Sequence, residues 1–250
     1  MTIKLIVLFF VPLFSGLAIY LIPKKKDSNF KLLLVFAGSY LFAITVIHIL
    51  PELYQQNLGI EWIGVFVLAG FFLQQVLEYL TAGIEHGHIH AHDHSDHHHK
   101  HQSVSAIVLL LALCVHAFLE GGMLAQPASM ESVYDVNSIL IGIALHRAPA
   151  AFALMTVLAH QLHSRSKAVP YLLGFSLAAP IGLILSTYLV DHQILSSTGM
   201  MYLYALVSGN FLHISTTIFF ESSPEHRFNA KKLSVAILAA LIAVAVQHVL

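Results

Sequence analysis

Apolar positions in this chain come as unbroken blocks rather than as stripes. A helix needs about 20 mainly apolar residues to cross a hydrocarbon core. Eight blocks reach that length, at about 2–22, 30–55, 60–83, 103–125, 136–162, 168–190, 196–220 and 232–249. The first block is longer than a signal-peptide core of roughly 7–15 residues and has no small-residue cleavage pattern after it, so it reads as a span. Strands are excluded: an open sheet edge is not tolerated in lipid, and a barrel would show short alternating segments. The pattern therefore predicts an all-α, polytopic membrane bundle of eight transmembrane helices forming a single domain.

The polar connections add orientation. Lys24, Lys25, Lys26 and Lys31 follow the first block, Lys100 the third, Arg165 and Lys167 the fifth, and Arg227, Lys231 and Lys232 the seventh. Ten of the 12 basic residues thus fall on one side of an alternating eight-span path. Basic loops stay cytoplasmic. The expectation is a multi-pass protein of the cell membrane, plasma or inner, with both termini outside.

Composition narrows the function. Only 10% of residues are charged and 57% are apolar, whereas soluble domains carry roughly 25% charged residues. The formal net charge of -1 leaves no basic footprint for nucleic acid. A single cysteine, Cys114, excludes a disulfide framework and a cysteine-rich zinc site. What needs explaining is the presence of 18 histidines.

Nine of them, His86, His88, His90, His92, His94, His97, His98, His99 and His101, crowd one connection at about 85–102. Neutral imidazole ligates zinc, copper, nickel and iron. Alternate histidines in a loop can wrap an ion without a preformed cage. The segment is expected to bind metal weakly on the cytoplasmic side, as acceptor, buffer or sensor.

The remaining signal is ionisable residues inside apolar blocks, which are costly there and usually face a pathway. His116 and Glu120 are four apart in block four, and so are His48 and Glu52 in block two, with Pro51 between. Such spacing puts both side chains on one helix face. Block five carries His146 and Arg147, followed by Pro149; block seven carries His213 and, near its end, Glu221. Two histidines and a carboxylate, His116, Glu120 and His146, with a water would make an ordinary exchangeable zinc sphere. His48, Glu52, His213 and Glu221 are candidates for a pathway, and interhelical hydrogen bonding serves His48 and Glu52 equally well.

These residues carry a family resemblance. The segments HILPE (48–52), HAFLEGG (116–122), HRAPAAFAL (146–154), FSLAAPIG (175–182) and SGNFLHISTTIFFESSPEH (208–226) resemble those of ZIP-type (zinc/iron-regulated transporter-like) metal transporters. The likeness runs over nearly the whole chain, the histidine-rich loop included. It implies a ZIP-like fold, no enzymatic activity, no cofactor, and a cargo of Zn2+, with Fe2+, Mn2+ or Cd2+ as alternatives, moved into the cytosol. It places His116, Glu120 and His146 at the family's central metal site between spans four and five. The sequence departs from two-metal members. Ala117 stands where they have Asn, and Arg147 and Ala150 stand where they have acids, in a subgroup pattern of histidine, basic residue, Ala, Pro, Ala. A fixed guanidinium beside one ion opposes a second dication. Hence a single-ion site is expected, with Arg147 in the second metal's place. Partners are the metal ion and the bilayer, and a homodimer is open to it. The alternatives are a membrane-embedded zinc-dependent hydrolase, a metal sensor and an efflux carrier.

Overall fold

The computed structural model describes residues 1–21, 28–55, 60–81, 106–126, 136–221 and 229–249. The histidine-rich loop and the side chain of Glu221 lie outside them. Among the described residues all regular structure is helical: α1 (Thr2–Leu17, closed by a 3-10 turn at Ala18–Tyr20), α2 (Ser28–Ile44), a π-helical turn (Thr45–Ile49), α3 (Leu50–Gln55), α4 (Ile60–Thr81), α5 (Ala106–Met123), α6 (Val136–Gln161), α7 (Arg165–Asp191), α8 (Ser197–Glu221) and α9 (Ala230–Val249). α2, the π turn and α3 form one continuous rod, so the chain is an all-α polytopic membrane bundle of eight rods. Among the described residues, five stretches are long and apolar enough to cross a membrane: Thr2–Tyr20, Lys31–Gln55, Glu61–Thr81, Val136–Gln161 and Arg165–Asp191.

The π turn has a local cause. Pro51 has no amide to offer the preceding turn, and a helix absorbs such a gap by widening. At the start of the turn Thr45 Oγ1 donates to the Leu41 carbonyl at 2.7 Å, the back-bond a helical threonine ordinarily makes.

The bundle is inside out relative to a water-soluble one. α4 shows Val65, Leu68, Phe72, Val76 and Tyr79 outward, all at least half-exposed or nearly so. In water such a stripe would aggregate; against lipid it is the expected surface. The polar groups Gln74, Glu120, Arg147 and Asn210 are buried instead.

Packing divides the rods into two groups. α1, α5, α6 and α7 pack together, as do α2, α4, α8 and α9, and the groups meet along α2–α6, α4–α5 and α5–α8. Two parallel pairs anchor them. In α5–α7, a Cβ on Gly121 would collide with the Ala179 carbonyl and one on Gly182 with the Phe118 carbonyl. In α4–α8, Gly70 abuts the Leu206 carbonyl and Gly209 the Val67 carbonyl. Small residues allow this approach, which dispersion and close packing reward in a medium offering no hydrophobic drive. The parallel sense is read from register: in α4–α8 Phe66 stacks on Tyr202 at 4.4 Å and Glu78 reaches His213 further along both helices, and in α5–α7 Gly182 faces Phe118 while Gly122 faces Ser186 further along both.

Candidate metal centre

α5 brings His116 and Glu120 onto one face, and the glycine seam with α7 fixes how deeply that face sits. α6 supplies His146 from the neighbouring rod. Pro149, three residues on, removes the amide that would bond the Leu145 carbonyl and so loosens the helix beside the histidine.

The three side chains converge. His116, Glu120 and His146 each offer a ligand atom, and these atoms lie within 4.8 Å of one another, the one such group of three or more His, Cys, Asp or Glu among the described residues. His116 Nε2 lies 3.0 Å from Glu120 Oε1. The two imidazoles stand edge to face, ring centroids 5.6 Å apart at 89°. All three side chains are buried. A tetrahedral zinc with bonds of about 2.0–2.1 Å sets its ligands roughly 3.3 Å apart, so a small rotation of each side chain would close the group on an ion. His146 Nδ1 is buried with no hydrogen-bond partner among the described residues. Cys114, two residues before His116, is outside the group.

Arg147 sits against the triad, 1% exposed. Its Nη2 donates to the Phe175 carbonyl of α7 at 3.1 Å, its guanidinium carbon lies 4.9 Å from the Phe175 ring centroid, and Nε is 4.0 Å from Glu120 Oε2. The FSLAAPIG segment thus holds the guanidinium by its backbone and its aromatic face.

The other ionisable candidates stand apart from this group. His48 Nδ1 and Glu52 Oε1 pair at 3.0 Å across the π turn and α3. His213 Nδ1 pairs at 3.2 Å with Glu78 Oε2 of α4, Thr217 Oγ1 donates to the same oxygen at 3.5 Å, and the Phe71 ring meets His213 at 4.8 Å between centroids. Sequence reasoning missed Glu78 and its neighbours on the α4–α8 seam, Gln74 and Asn210. The available signal was a carboxylate and amides inside apolar blocks, each expensive enough there to demand a partner.

Comparison with known proteins accords with this geometry. Residues 81–246 match the family described as ZIP Zinc transporter. Zinc transporter ZIP9 of Macaca fascicularis is 37% identical over 113 residues, covering 42% of this chain and 47% of that protein. Zinc transporter ZIP9 of Xenopus tropicalis is 32% identical over 162 residues, covering 62% and 50%. Protein zntD of Dictyostelium discoideum is 28% identical over 148 residues, covering 58% and 21%. The chain spans about half the length of the ZIP9 relatives it matches. The family match takes in more than half of the chain, from the end of α4 through most of α9 and so both helices of the His116, Glu120 and His146 group: this chain belongs to the ZIP family.

Proposed function

We propose that the chain carries a divalent transition metal, zinc foremost, across a cell membrane into the cytosol through a single-ion site made by His116, Glu120 and His146. One observation carries this reading: three ligand side chains from two helices converge, fully buried, in a bundle whose outer surface is apolar. Two imidazoles and one carboxylate replace most of the ion's water and leave a coordination position open, which keeps the ion exchangeable. The names of the ZIP9 relatives support zinc as the cargo.

Arg147 limits the site to one ion. Its charge is permanent, and at a few Å it opposes a second dication by several kcal/mol even at an effective dielectric near ~20. The basic loops face the cytosol in this reading, and the nine loop histidines accept arriving ions there.

The test is metal uptake into proteoliposomes with a panel of Zn2+, Fe2+, Mn2+ and Cd2+. Saturable zinc uptake that depends on Glu120 is expected. Liposomes that take up no metal of the panel would overturn the transport reading.

A further inference from the structure

Arg147 has more hydrogen-bonding capacity than its surroundings use. A guanidinium has five N–H donors and no acceptor. Nη2 uses one on the Phe175 carbonyl. Nε and Nη1 have no hydrogen-bond partner among the described residues, although the side chain is almost fully buried. Such donors are expensive to leave unmet away from water. The nearest acceptor, Glu120 Oε2, stands 4.0 Å from Nε, beyond hydrogen-bond length, and Glu120 is also needed by the cation.

The cation has the complementary need. Three protein ligands would leave the fourth position of a tetrahedral ion open. Water is a poor occupant beside Arg147. A metal-bound water gives one of its two lone pairs to the metal, becomes a weak acceptor and turns its hydrogens outward, so it would aim donors at donors. A dication, a guanidinium and one carboxylate also leave a net charge of two in a space closed to solvent, which low dielectric penalises. A small anion answers both demands, because it keeps lone pairs for N–H groups after binding the metal and it removes one unit of charge.

We propose that Arg147 holds a small monovalent anion, of the chloride class, in the open coordination position of the ion bound by His116, Glu120 and His146. This rests on the single-ion reading above. The anion bridges metal and guanidinium, so metal affinity and anion affinity reinforce each other, as linked binding requires. Arg147 then does more than block a second cation: it selects what accompanies the first.

The experiment uses the full-length protein in detergent with Co2+ as a spectroscopic probe. The visible spectrum of Co2+ reports coordination number and ligand type. Ions on the loop histidines are removed by subtracting the spectrum of His116→Ala, so the difference reports the buried site alone. Expected are a four-coordinate difference spectrum that shifts in sequence through chloride, bromide and azide, and Co2+ affinity about tenfold tighter in chloride than in methanesulfonate, the scale of one charge-assisted contact. Arg147→Met should keep a difference spectrum and lose the anion response. A wild-type spectrum indifferent to the anion, or following pH alone as bound hydroxide would, overturns the proposal, and so does an undiminished anion response in Arg147→Met. If that variant does not fold, the wild-type anion series decides by itself. Absence of any difference spectrum would instead strike the metal site, a result distinct from an anion-blind one.

Discussion

Two places in the bundle pair a buried histidine with a glutamate beside a glycine-lined seam of parallel helices. On the α5–α7 side His116 meets Glu120 at 3.0 Å; on the α4–α8 side His213 meets Glu78 at 3.2 Å. The chemistry of the pairs is the same and their surroundings differ. His146 and a guanidinium converge on the first. At the second, Thr217 donates to the carboxylate and the Phe71 ring stands against the imidazole. A histidine–carboxylate pair thus differs by what neighbouring side chains add to it, and the spacing of the two residues alone does not tell the two places apart.

The sharpest way to break that comparison is to remove one histidine from each place. His146→Ala should lower zinc affinity at the buried site by roughly 100-fold or more, the scale of losing one of three ligands and its charge-assisted geometry, with thermal stability in detergent little changed. His213→Ala should do the reverse: removing one partner of a buried pair costs about 3–5 kcal/mol of stability, while the affinity of folded protein holds. Isothermal titration beside a melting curve reads both. If His213→Ala loses affinity as completely as His146→Ala, the α4–α8 pair belongs to the metal path.

A second contrast uses the seams themselves. Gly121→Val drives a side chain into the Ala179 carbonyl and Gly70→Val into the Leu206 carbonyl. Both should destabilise. Only Gly121→Val, adjacent to Glu120, should also weaken zinc binding, by about tenfold or more given how sharply a misplaced ligand by ~1 Å is felt. Equal affinity losses from the two would show that the site is not set by the α5–α7 approach.

Acidity should act on the central site with a defined sign. Histidine must be neutral to ligate, so zinc affinity should fall with rising acidity, by up to about tenfold per pH unit for each imidazole that must shed a proton. Affinity rising in acid would exclude histidine ligation. The smallest effect is expected from the loop. Deleting 86–101 should leave the initial uptake rate within about twofold, since local changes away from packed or ligating groups are usually mild, and should reduce only metal retained on the inner face. Flux lost from a well-folded deletion would make the loop part of the conduit.

Much of this was readable before any coordinates. Apolar block length marks a helix in lipid directly, because nothing else satisfies the backbone there. The pairs His116–Glu120 and His48–Glu52 follow from helical periodicity, and the structure does bring His146 to the first of them. Glu78 was opaque for a plain reason: its partner His213 lies 135 positions away, and no local pattern announces which of two distant helices will run side by side. Glycines inside apolar blocks signal close helix packing, but not which carbonyl each will meet. The π turn was hidden too, since Pro51 signals a disturbed helix without saying whether the helix will kink, break or widen.

That widened turn has a consequence for how this chain could change over time. A π turn is an α-helix carrying one surplus residue, accommodated without breaking the rod. One residue corresponds to about 100° of azimuth, so everything beyond Ile49, including Pro51, Glu52 and the buried Leu53, is phased by that single residue. A one-codon deletion near Val46, which faces outward, would leave every side chain from His48 to Gln55 unaltered in identity and swing them together to a new bearing on α8. Length here is heritable information about direction, and an alignment that scores only substitutions would miss it.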